Sequence, residues 1–210
     1  MKEKISPLQK ALNLWAIILI IWSIYRSQMR MAEWFDELIA KPLIFIVPVY
    51  LYIKKVEKSN FFSAISLRRK SIYSNIILGL FAGVIFFTTI VVANLIKTGR
   101  IIFFNQSGTY AKHIMLTLII VFATSISEEI LSRGFILKRL YKESKSLLSS
   151  SFLASILFFF LHIPILFTNA KISGNLLLLS MATDLIFSLT TSFVYLTSES
   201  IIPPIFIHAF

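Results

Sequence analysis

The chain has 210 residues, 57% of hydrophobic types and only 15% charged, where a soluble domain carries about 25% charged residues. A soluble fold of this composition would lack the polar surface to cover its core, so the reading is a protein whose outside is solvated by lipid. The net charge of +11 does not imply nucleic acid, because the basic residues sit in short gaps between apolar runs, where they orient a chain in a bilayer and meet anionic headgroups; the lack of cysteine removes disulfides, thiolate metal sites and a cysteine nucleophile.

A helix needs about 20 apolar residues to span the hydrocarbon, within roughly 17–25. The first run, Ala11 to Tyr25, is short but continuous. A basic stretch precedes it, but no small-residue cleavage site follows Tyr25, so it is expected to be a retained helix. The second run, Leu38 to Ile53, is interrupted by Lys41, Pro42 and Pro48 and is expected to be kinked or tilted. The third, Ile72 to Ile96, carries Gly79 and Gly83 at a small-xxx-small spacing that lets another helix approach closely. The fourth starts near Ile114 and continues through Ser127-Glu128-Glu129 and Arg133 to about Leu140; the fifth is Leu147 to Thr168 and the sixth Leu176 to Thr197. A last segment, Ile201 to Phe210, is too short to span. The expected fold is all-α: a single polytopic membrane domain over 1–210, a bundle of about six spans with a short C-terminal helix.

With the N-terminus in the cytoplasm, the cytoplasmic segments hold Lys2, Lys4, Lys10, Lys54, Lys55, Lys58, Arg68, Arg69, Lys70, Lys138, Arg139, Lys142 and Lys145. The outer segments hold the smaller set of Arg26, Arg30, Lys41, Lys97, Arg100, Lys112 and Lys171, as the positive-inside rule requires.

An ionisable residue at the centre of a span costs about 2.5–3.5 kcal/mol on insertion scales and needs a partner or a wet cavity. The candidates are Glu128, Glu129, Arg133, His162, Asp184 and His208. Glu129 and Arg133 are four apart and share a helical face; Glu128 is turned about 100° away, on a face with Ser125 and Ser132. One acid is then neutralised by the arginine, and the other is free to hold a water and accept its proton. The alternative is a helix end where Glu and Arg snorkel, but Glu128 lies about 15 Å of helix before Lys138. His162 follows three phenylalanines in mid-span; it is either an acid, base or donor near neutral pH or a histidine satisfied by a backbone carbonyl. Pro203 and Pro204 suit the first turn of a helix that carries His208 about one turn in.

Glu128-Glu129-x-x-x-Arg133, Phe158-x-x-x-His162 and Pro203-Pro204-x-x-x-His208, in this order, resemble the CAAX prenyl protease and bacteriocin-processing family, also called Abi, whose members are multi-helix membrane proteins. The resemblance covers about 114–210, and Ser127 to Ile136 is its most specific stretch. It implies an intramembrane endopeptidase with Glu128 as catalytic base, Glu129 and Arg133 supporting it, His162 and His208 as the motif histidines and Phe158 as the motif phenylalanine. The chain departs from the pattern at Ser132, where the family has an aromatic residue, and at Thr190 and Ser192, where glycines are common. The family also places an Asn or Asp four residues after its last histidine, thought to help hold the oxyanion; that position falls two past Phe210.

The expected partners are a peptide or protein substrate in the membrane and the bilayer itself, with no nucleic acid and no cofactor. Ser125, Ser127 and Ser132 read as helix-packing residues rather than nucleophiles. Three other readings use the same residues. A non-catalytic relative, such as a bacteriocin-immunity or scaffold protein, would keep the site as a structural network. A zinc protease would use two histidines and a glutamate, but no His-Glu-x-x-His is present, so no metal is expected. A transporter would run protons past Asp184 and Arg133, but no internal repeat supports it.

Overall fold

Apolar residues recurring every three or four positions set how the first helix packs. A computed structural model describes residues 5–29, 31–67, 71–99, 114–168 and 174–210. Helix α1 spans Pro7–Gln28; the Ser6 side chain accepts a bond from the Gln9 amide, and Pro7 takes the first helical position. Ala11, Trp15, Ile18 and Trp22 form its buried stripe. The next helical stretch is α2 (Glu33–Phe35), a wide π turn π1 (Asp36–Ala40) and α3 (Lys41–Lys55). α3 runs through Pro48 and buries Phe45, Val49 and Ile53, with Trp22 edge-on to Phe45 at 5.2 Å. A short α4 (Phe61–Ala64) follows, and then α5 (Ile72–Thr98), which ends at Gly99 with φ +66°.

The motif-bearing elements come next: α6 (Ile114–Glu129), a second π segment π2 (Ile130–Leu137), α7 (Lys138–Ser144), α8 (Leu147–Thr168), α9 (Gly174–Ser198) and α10 (Ile202–Ala209). Leu131, Phe135, Ile136 and Leu137 of π2 are buried in the core shared by α1, α3 and π2. The described residues contain no strand. Among the described residues five helices are long and apolar enough to cross a membrane: Pro7–Gln28, Ile72–Thr89, Ile114–Ser144, Leu147–Pro164 and Leu177–Ser198. The run Leu38 to Ile53 is helical, but its regular part has 15 residues and is not among those five. Many large apolar side chains on these helices face outward, Ile77, Phe81 and Leu178 among them, as a lipid-solvated bundle requires.

Lys10, Lys138, Arg139, Lys142 and Lys145 line one cavity of about 750 Å³ together with Tyr52 and Glu57. Basic residues assigned by charge to the N-terminal and third cytoplasmic segments thus meet at one end of the bundle. Arg139 closes part of that end with a two-pronged contact to Glu57 at 2.7 and 2.6 Å. Of the other basic residues used in the charge comparison, Lys2, Lys4, Arg30, Arg68, Arg69, Lys70, Arg100, Lys112 and Lys171 lie outside the described residues.

The small-xxx-small pair seats α10, the helix that carries His208. A Cβ on Gly79 would lie 2.7 Å from Phe206 Cβ and 3.0 Å from the Pro203 backbone, whereas the three atoms nearest a Cβ on Gly83 all belong to the Phe210 side chain. Backbone cannot yield as a side chain can. Gly79→Ala is therefore expected to destabilise by about 1–3 kcal/mol, the usual cost of overpacking, and Gly83→Ala by less. Denaturant unfolding in detergent checks the order; equal costs at the two positions would contradict this account of how α10 is seated.

Candidate active site

The sequence places two carboxylates in succession at the end of α6, and each finds its own cation. Glu129 is fully buried, and its Oε1 accepts from Arg133 Nη1 at 2.8 Å. The arginine is equally buried. Its Nη2 donates to the Ser188 carbonyl at 3.2 Å, the Ser188 hydroxyl at 2.9 Å and Thr191 Oγ1 at 2.5 Å. The guanidinium also lies 4.3 Å above the Phe158 ring, a cation–π contact. Polar residues of α9, close to the departures at Thr190 and Ser192, therefore take part in holding the arginine.

Glu128 is 5% exposed and pairs with a lysine. Its Oε1 accepts from Lys41 Nζ at 2.8 Å. This corrects the placement of Lys41 in an outer segment: the side chain is buried at the start of α3, 2% exposed, and also pairs with Glu37 four residues before it. Glu37 Oε2 in turn accepts from Thr124 Oγ1 at 2.7 Å. The expectation that Glu128 would stand free beside a neutralised Glu129 is corrected too, because both acids are paired and Glu128 keeps only one oxygen unengaged.

That oxygen is Oε2. It is buried without a hydrogen-bond partner among the described residues, and His162 Nε2 and His208 Nε2 each lie 3.6 Å from it. The opposite ring nitrogens are committed. His162 Nδ1 donates to the Phe158 carbonyl at 3.2 Å, the backbone bond one reading of this residue foresaw, and His208 Nδ1 donates to Glu129 Oε1 at 2.9 Å. Both partners are acceptors, so Nδ1 carries the proton in each ring and Nε2 is the nitrogen turned to Glu128. Phe158 lies between the two halves of the site, 4.7 Å from His162 and 6.0 Å from His208 by ring centroids. Phe187 packs against His208 at 5.0 Å. Asp184, half-buried on α9, lies within electrostatic reach of His162, Glu128 and His208.

Ser125 and Ser127 donate to the carbonyls of Val121 and Ala123, both at 2.8 Å, so their hydroxyls serve their own helix. Ser132 Oγ is buried with no hydrogen-bond partner among the described residues. Among the described residues no group of three His, Cys, Asp or Glu side chains has a metal-holding arrangement. Both histidines nevertheless have the outer-shell acceptor that metal ligands usually have, His208 through a carboxylate distant in sequence.

Residues 110–210 match the family model of the Rce1-like proteins, described as type II CAAX prenyl endopeptidases. Over that segment, just under half of its length, this chain is similar to the Rce1-like family. No curated protein and no solved structure matches it. The Rce1-like segment contains Glu128, Glu129, Arg133, Phe158, His162 and His208, which the fold brings together from α6, π2, α8 and α10. Lys41 and Glu37, which complete the charge network, lie before that segment. The pattern that could have revealed them is an acid and a base four residues apart at the edge of an apolar run, a pair that shares a helical face and that lipid does not tolerate unpaired.

Proposed function

We propose that the chain is an intramembrane endopeptidase in which Glu128 activates the attacking water. The observation that carries this reading is the single unengaged, buried oxygen of Glu128 with two histidine Nε2 atoms turned toward it at 3.6 Å. A water held by Oε2 gives it a proton and attacks the peptide carbonyl carbon. The new oxyanion meets a histidine Nε2–H. When the C–N bond breaks, Glu128 returns its proton to the leaving amine, and the other product leaves as a carboxylic acid that gives its remaining proton to water. Three carboxylates, Glu37, Glu128 and Glu129, face two fixed cations, Lys41 and Arg133. That imbalance suits one imidazolium as the donor. The match of residues 110–210 to a CAAX prenyl endopeptidase family model and the gathering of basic residues at one end of the bundle support a membrane peptide as substrate and a cytoplasmic N-terminus. The ion pair on Glu128 also suits a non-catalytic relative that keeps the site as a scaffold.

The test is cleavage of membrane-embedded peptides, prenylated and unprenylated, by the purified chain in lipid nanodiscs. Cleavage is expected to survive replacement of Ser125, Ser127 and Ser132 by alanine and to survive strong chelators, with no stoichiometric zinc in the protein. Lys41 and Arg133 already sit against these carboxylates, so a dication would meet repulsion as well as ligands. One zinc per chain, lost together with activity in His162→Ala, would overturn the metal-free mechanism. Failure to cleave any peptide would favour the scaffold.

A further inference from the structure

Lys41 lies outside the family segment, and the proposed chemistry does not consume it. Its contacts form a closed ring between two stretches of chain. Thr124 Oγ1 donates to Glu37 at 2.7 Å, Glu37 pairs with Lys41, and Lys41 Nζ donates to Glu128 Oε1 at 2.8 Å. Thr124 and Glu128 are one turn apart on α6, so the ring starts and ends on the same helix. The Trp22 ring lies 5.5 Å from Nζ and covers it with apolar surface.

From this geometry we infer that Lys41, braced by Glu37 and Thr124, is a positioning residue for the reacting carboxylate: by holding Oε1 of Glu128 it fixes Oε2 toward His162 and His208. This rests on the endopeptidase reading above. The terminal torsion of a glutamate is broad and roughly two-fold, so the carboxylate has no fixed orientation of its own. Beside two imidazoles it would turn to bond one of them directly, and its free oxygen would leave the point they share. A lysine on a flexible four-carbon stem is itself a poor anchor, and Glu37, set by π1 and tied to Thr124, removes that freedom. Wide turns of this kind are frequent at functional sites.

A merely structural ion pair would change how much protein folds, not how fast each folded molecule works. The test is therefore kcat, KM and the pH profile per folded molecule, for the full chain in nanodiscs. Lys41→Gln is expected to lower kcat by about 10²–10³, the range seen when a preorganised polar group is lost, with KM moved by less than about threefold because ground-state binding is untouched. Its pH profile should differ in shape from wild type, since Glu128 then titrates beside Glu129, Arg133, His162, His208 and Asp184 without its own cation. Lys41→Arg, which keeps charge and donors, should recover most of the loss. An unchanged kcat and profile in folded Lys41→Gln overturns the proposal. If that variant does not accumulate, Thr124→Val, which alters no charge, decides: a kcat loss of roughly three- to tenfold, as expected when one hydrogen bond that acts on Glu128 only through Glu37 and Lys41 is lost, supports the brace, and none overturns it. If wild type cleaves nothing, the functional reading fails first. The isotope-edited infrared carboxylate band of Glu128 then settles the contact: a shift in Lys41→Arg supports it, and an unmoved band overturns it.

Discussion

Glu128→Gln is expected to abolish peptide cleavage while the protein accumulates in the membrane at close to its normal level. The two halves of this expectation have separate causes. The amide cannot take a proton from water, and loss of a general base costs about 10²–10⁴ in rate. The amide is nevertheless nearly the same size as the acid, and Lys41 keeps its second carboxylate, Glu37. No buried cation is stranded, so the usual reason for a severe folding defect is missing. Cleavage of a co-expressed membrane peptide, normalised to immunoblotted protein, checks both halves together. Retained cleavage would remove Glu128 from the reaction, and a collapse in abundance would show that Glu37 alone cannot hold Lys41.

Much of the site was legible because lipid makes polar residues conspicuous. Glu128, Glu129, Arg133, His162 and His208 each stood out in an apolar run, and the spacing of Glu129 to Arg133 gave one contact directly. The other contacts cross from helix to helix, and sequence spacing holds no information about them. Glu129 bonds His208 across 79 positions, and Lys41 reaches Glu128 across 87. Lys41 was misplaced for a physical reason. It stands near the end of a weak, proline-containing run, where a lysine normally snorkels to the interface. Only the packing of α3 against α6 shows that it turns inward. The helical bundle was likewise readable from apolar run lengths. The π segments were not, because Asp36–Ala40 and Ile130–Leu137 carry the same residue types as an ordinary helix.

Glu129→Gln is expected to lower protein level sharply, in contrast to Glu128→Gln. Arg133 has Glu129 as its carboxylate partner; its remaining contacts, Ser188, Thr191 and the Phe158 ring, are neutral. Removing one partner of a buried pair typically costs about 3–5 kcal/mol, because a charge is left buried without compensation. Replacing both partners at once is far milder. The double variant Glu129→Gln/Arg133→Met should therefore regain most of the abundance that the single variant loses. It should not regain activity, because Glu129 also accepts from His208 Nδ1 at 2.9 Å, and an amide orients that ring less firmly than a carboxylate. Abundance and cleavage are thus expected to separate in the double variant. The measurement is membrane abundance and cleavage per molecule across wild type, both single variants and the pair. Equal abundance in Glu129→Gln and wild type would show that serine, threonine and phenylalanine suffice for the guanidinium. Full activity in the double variant would show that His208 keeps its place without the Glu129 carboxylate.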